Sequence, residues 1–152
     1  MGGLIPHYVQ LTPGDPFPSI AEFAPFKAVV ILNAHYSGEW QDEVSRWLVD
    51  SGCRYMLAWG PDCTTWDDSV DYASIIKHLP KETPDSDFVM TTWHNDQTLE
   101  GVFWQAQFNA QLSYDDVELN ETVLLDVSRT NRERDMLTLW EQSKTLAERE
   151  QD

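Results

Sequence analysis

The chain has 152 residues, 41% of them apolar and seven of them tryptophan, and a formal net charge of −16. That length fits one domain able to bury a core without disulfide or metal staples. The charge excludes nucleic acid and anionic membrane as partners, because binding phosphate rests on Lys and Arg, and it favours a basic protein instead.

Five of the eight prolines (Pro6, Pro13, Pro16, Pro18 and Pro25) lie in residues 1–25. Proline removes a donor and fixes φ, so this segment is expected to run extended as an arm. Its Ile5, Tyr8, Val9, Leu11, Phe17, Ile20 and Phe23 should hold it against the body, and "IPHYVQL" suits a short edge strand. "KAVVIL" (27–32) is a continuous apolar run of the kind found in strands covered on both faces. The next segment, "SGEWQDEVSRWLVDSG", has Trp40, Val44, Trp47 and Leu48 at helical spacing, with Ser37 to cap it and Gly52 to end it. "RYMLAW" (54–59) is a second strand, broken by Gly60-Pro61. A second helix then runs to about Leu79, with Thr64 and Asp67 as its capping box and Tyr72, Ile75, Ile76 and Leu79 turned inward.

"DFVMTTW" (87–93) is the third predicted strand, and the spacing after it predicts a helix from about Gln97 to Ala110, capped by Asn95 or Asp96. "TVLLDV" (122–127) is the fourth strand, and residues 129–151 form one helix by propensity. Apolar strands alternating with amphipathic helices imply right-handed parallel crossovers. The expected fold is α/β: a three-layer sandwich with a central, mostly parallel four- to five-stranded sheet, helices on both faces, and a proline-rich N-terminal arm. Residues 1–25 are the arm, and 26–152 a single domain ending in a partly exposed C-terminal helix.

Cys53 and Cys63 flank an extended segment too long for a disulfide, so both read as free thiols in a reducing compartment. Residues 1–10 lack a signal-peptide pattern, and no stretch approaches the roughly 20 apolar residues of a membrane span. The expected location is the cytoplasm.

In an open parallel sheet, ligands bind beyond the carboxyl ends of the strands. The residues that follow the four strands are Asn33, His35, Tyr36 and Ser37; Asp62 through Asp68; His94, Asn95 and Asp96; and Ser128 with Arg129. Three uses of this rim are open. Cys63 with His35 or His94 as base and a carboxylate such as Asp96 to orient it forms a nucleophilic set. His35, His94 and Asp62 or Asp96 form a metal set. Capping and packing alone form the third. No H-E-x-x-H, G-x-S-x-G, P-loop or paired Cys-x-x-Cys pattern is present, and "NAHYSGEW" is not a dinucleotide loop. No cofactor is implied, and catalysis is the less favoured reading.

Acid is concentrated in the body. The last 24 residues hold five basic residues and six acids; the first 128 hold the other five basic residues and twenty acids. Asp62, Asp67, Asp68 and Asp71, with Trp66, mark one acidic and aromatic patch, and Tyr114, Asp115 and Asp116 a second. Such patches suit rapid capture of a basic surface.

"FKAVVILNAHYSGEWQDEVSRWLVDSGCRYMLAWG" and "FVMTTWHNDQTLEGVFWQAQF" resemble segments of a small bacterial α/β domain family with no attached activity. "TLEGVFWQAQFNA" followed by "ETVLLDV", together with the acidity, resembles the barstar type of immunity protein, which implies inhibition of a basic nuclease. A strand followed by "HYSGEWQDEVSRWL" resembles the Toll/interleukin-receptor type of domain, but no glutamate in a matching later helix supports its NAD-cleaving chemistry. The expected role is therefore an acidic protein-binding module, with an immunity-type inhibitor of a basic toxin or enzyme as its specific form. The alternative is a small hydrolase or metal-dependent enzyme at the carboxyl edge of the sheet.

Overall fold

The computed structural model describes residues 5–84, 87–112 and 118–150. Its centre is a five-stranded sheet of β1 (His7–Leu11), β2 (Phe26–Leu32), β3 (Cys53–Trp59), β4 (Met90–His94) and β5 (Glu121–Val127). The strand order is β1-β5-β2-β3-β4, and every neighbouring pair is parallel. The helices are α1 (Gly38–Ser51), α2 (Cys63–His78), α3 (Leu99–Phe108), α4 (Glu133–Ser143) and α5 (Leu146–Glu150). The expected α/β three-layer architecture is the observed one.

Side-chain alternation along the central strands makes two cores. Ala28, Val30 and Leu32 join Met56, Ala58, Val123 and Leu125 beneath Val44, Leu48, Trp66 and Val70 of α1 and α2. Val29 and Ile31 join Tyr55, Leu57 and Leu124 against Val102, Phe103, Met136 and Trp140 of α3 and α4. A continuous apolar run is what a strand covered on both faces requires. Both cysteines are free and buried, and no helix is long and apolar enough to cross a membrane.

From β2 the chain steps outward through β3 to β4. It then returns to the other side of β2 as β5, with β1 beyond it. The order therefore reverses between β2 and β5, and that is where the strand-end loops diverge. β1 is the edge strand that "IPHYVQL" suggests, in register with β5 from His7↔Val123 to Leu11↔Val127. The rest of the arm is held by Ile20 in the core and by Phe17 stacked on Trp47 at 5.2 Å, whose indole N–H donates to the Pro18 carbonyl at 3.0 Å.

Several local expectations are corrected. α2 starts at Cys63 rather than being capped by Thr64, and its phase buries Cys63, Trp66, Asp67, Val70, Ala73 and Ser74. Tyr72, Ile75, Ile76 and Leu79 consequently face outward, at 63%, 52%, 42% and 61% exposure. The large indole of Trp66 fills the core and sets the rotation, so two polar residues go inside with it. α3 is capped by Thr98, whose hydroxyl accepts from the Gly101 N–H at 3.0 Å, not by Asn95 or Asp96. The third predicted strand starts at Met90 rather than at Asp87, whose N–H donates to the Pro84 carbonyl. The predicted last helix is broken into α4 and α5 around Lys144 and Thr145.

Candidate functional site

A cleft of about 530 Å³ opens at the reversal point, walled by Asn33, Ala34, His35, Tyr36 and Ser37 after β2, by Ser128, Arg129 and Thr130 after β5, and by Pro13 after β1. Its floor is tied to the strand ends. The Asn33 amide donates to the Val127 carbonyl at 2.7 Å and to Asp126 Oδ1 at 3.2 Å, and the Tyr36 hydroxyl donates to the Val127 carbonyl at 3.0 Å. Ser128 N–H donates to the Leu11 carbonyl at 3.1 Å. α1 begins at the rim, where the Ser37 hydroxyl accepts from the Trp40 N–H. The residues walling the cleft include Arg129 and no carboxylate.

Beneath the floor sits Asp126, fully buried in β5. Tyr8 donates its hydroxyl to Asp126 Oδ2 at 2.6 Å, and Arg132 grips both carboxylate oxygens. The Arg132 backbone N–H donates in turn to the Tyr8 hydroxyl at 2.8 Å. This pair, with Asp126 buried and Arg132 part exposed, ties β1, β5, the residue after β2 and the start of α4 together. Burial first, and then the bond to Asp126, pushes the Tyr8 hydroxyl up to about 12. The Asp126 bond raises Arg132 further.

The residues considered for nucleophilic or metal chemistry do not converge. His35 is exposed and pairs with Asp62, a residue in the left-handed region at φ 62 that Asp tolerates. Cys63 is buried in the core under α1 and α2. His94 stands in register with Trp59, whose ring packs toward the opposite core, and it bonds Thr92 at 2.9 Å and Gln97. One strand separates β2 from β4, so the strand that leads to His35 and the strand that ends in His94 are about 10 Å apart across the sheet. Asp96 is exposed in the loop beyond β4. Among the described residues no three of His, Cys, Asp or Glu are placed to hold a metal ion.

The acidic patch is partly internal. Trp66 is 1% exposed, and Asp67 is buried with its Oδ1 unbonded. Asp62, Asp68 and Asp71 are exposed. Burial, with Asp67 and Asp68 nearby, raises Asp71 above the usual carboxylate range, against the lowering effect of its bond from the Thr91 hydroxyl at 3.0 Å. Tyr114, Asp115 and Asp116 lie outside the described residues.

The family described as a domain of unknown function (DUF7684) matches residues 6–143. The chain belongs to this family. The match spans both β1 and α4, so the edge strand and the Asp126–Arg132 lock lie within the region that the family shares. No curated protein and no solved structure matches the chain significantly.

Six of the cleft walls are strand-end residues legible in the sequence, whereas Pro13, Ala34, Thr130 and the support beneath them are not. The available signal was Asp126 itself: an acid inside an apolar strand must be paired, and Arg132 follows it by one turn of loop.

Proposed function

We propose that the protein is a binding domain whose ligand seat is the cleft between the loops after β2 and β5, and that it takes a small molecule carrying an acidic group. The observation that carries this reading is the position and lining of the cleft: it lies where the strand order reverses, and in a chain with 26 acids its walls hold Arg129, hydroxyls and an amide but no carboxylate. Arg129 supplies the charge, Ser128 and Thr130 supply hydroxyls, and the Asn33 and Tyr36 bonds keep the floor rigid. The N-terminus of α1 adds a favourable field for an anion. Thermal unfolding with inorganic phosphate, a nucleoside monophosphate and citrate tests it. At least one should raise the midpoint, and Arg129→Ala should weaken that compound about tenfold or more, the usual weight of a charge-assisted hydrogen bond. Midpoints unmoved by all three, or shifts unaffected by Arg129→Ala, would overturn it.

A second reading, capture of a basic protein in the manner of the barstar-type proteins, is supported by the exposed Asp62, Asp68 and Asp71 beside the exposed ring of Tyr72. Electrostatic capture makes the association rate fall steeply with salt. A rate indifferent to ionic strength with every basic partner tried would remove it.

A further inference from the structure

Asp62 is the N-cap residue of α2, a position where an aspartate ordinarily accepts hydrogen bonds from the first turn of its helix. Its side chain makes no such bond, and the carboxylate turns to Nδ1 of His35 instead. Asp62 is also the one non-glycine residue in the left-handed region among the described residues, at φ 62. An exposed imidazole–carboxylate contact adds little stability. The chain therefore forgoes a helix cap and accepts a less favoured backbone conformation to hold one histidine ring.

That ring belongs to the cleft. His35 is one of the cleft walls and Asp62 is not, so Nδ1 is committed outside the cleft, and Nε2, which has no partner among the described residues, is left for it. β2 and β5 end in register at Leu32↔Val127, and neighbouring strands lie about 4.8 Å apart. His35 and Arg129 therefore follow adjacent strand ends, where one anion can touch both. The other charged or titratable groups nearby do not compete for the ring. Asp126, beneath the floor, is held by Arg132, Tyr8 and Asn33. Burial raises the Tyr36 hydroxyl, which stays neutral, and Glu39 in the first turn of α1 is not a cleft wall.

Counting donors then names the ligand. Asp62 at Nδ1 and an anion at Nε2 are both acceptors, so a ring that touches the anion carries two protons and a positive charge. Arg129 is a second cation, and Ser37, Ser128 and Thr130 add hydroxyls in the same walls. A carboxylate offers two oxygens, which one guanidinium fork fills; a phosphate monoester offers three, and enough charge for two cations. We infer that His35, held by Asp62, is the second cationic contact of the cleft, and that the group seated between His35 and Arg129 is a phosphate monoester. This rests on the cleft being the ligand seat. It adds that seating the ligand takes up a proton at His35, so that affinity falls as the solution becomes more basic.

Titration calorimetry on the full chain at neutral pH, with glycerol phosphate, sulfate and acetate as probes, tests this. Glycerol phosphate should bind about tenfold or more tightly than acetate. His35→Gln keeps a polar side chain without the charge, and Asp62→Asn keeps a residue that tolerates the left-handed region. Each should weaken glycerol phosphate about tenfold with unchanged circular dichroism. Sulfate does not itself titrate near neutrality, so its binding heat should vary with the ionisation heat of the buffer in the wild type, the mark of a proton taken up. In His35→Gln that variation should vanish. Anion binding that needs Arg129 yet ignores His35→Gln, takes up no proton with sulfate, or favours acetate equally would overturn this inference and leave the cleft as a ligand seat. Failure of every anion to bind would overturn both.

Discussion

Lys27 and Asp126 are charged residues inside the sheet, and the structure treats them oppositely. Lys27 is 4% exposed in β2, and its Nζ reaches one carbonyl, that of Ala110, at 3.4 Å. Burial lowers its ammonium to about 8 from 10.5. The folded state therefore disfavours the proton: the penalty is full below pH 8 and is relieved as pH rises to 10.5. Lys27→Met should be more stable than the wild type at pH 7, by on the order of 3 kcal/mol, and the gap should close toward pH 10.5 in urea unfolding. A gap that is constant with pH would show that the lysine does not bear this cost. Asp126, in contrast, is held by Arg132, Tyr8 and Asn33. Removing one member of a buried ion pair costs about 3–5 kcal/mol. Arg132 is part exposed, so Asp126→Ala should fall near the lower end, and loss of less than 1 kcal/mol in the same assay would mean that the lock is decorative.

At the scale of elements, α2 is the informative case. Its sequence places two possible apolar faces on one helix, one through Trp66, Val70 and Ala73 and the other through Tyr72, Ile75, Ile76 and Leu79. Counting apolar residues does not choose between them, since Cys63 brings the first face to four as well, and the structure buries the first. The indole of Trp66 meets Trp40 of α1 edge-on, with ring centroids 6.2 Å apart, a contact that Tyr72 does not supply. Trp66→Ala should therefore cost about 3–5 kcal/mol, whereas Tyr72→Ser should stay within about 0.5 kcal/mol. The reverse ranking in chemical denaturation would mean that the helix is rotated. Gly60, which ends β3 at φ 109, is the other point where local structure is dictated: a Cβ there would lie 2.2 Å from the Leu32 carbonyl oxygen. That close approach joins the ends of β2 and β3 and sets where their loops begin.

For the whole molecule, the net charge of −16 works against compactness. The Debye length falls from about 30 Å at 0.01 M salt to about 8 Å at 0.15 M, so the thermal midpoint should rise over that range. A midpoint that falls with salt would mean that specific ion pairs, and not the excess of carboxylates, dominate. Among the described residues few pairs are placed to do so, since Lys77–Asp50, Lys144–Glu141 and Arg149–Glu100 each include an exposed partner.

The apolar runs of β2, β3 and β5, the caps of α1 at Ser37 and Gly52, and the alternation of strand and helix were legible because each is a local pattern with a local cause. So was the list of strand-end residues, Asn33, His35, Tyr36 and Ser37 after β2 and Ser128 and Arg129 after β5. Their grouping was not. Whether the loop after β2 faces the loop after β3 or that after β5 depends on which strands lie side by side, and that pairing links residues about 95 positions apart, as Val29 and Leu124 are. The four strand-end loops therefore divide: β2 and β5 share the cleft, His35 of the first loop reaches Asp62 of the second, and His94 stays apart. Period and composition determined what each segment is. Long-range pairing, and the rotation that one large side chain imposes on its helix, determined which segments meet.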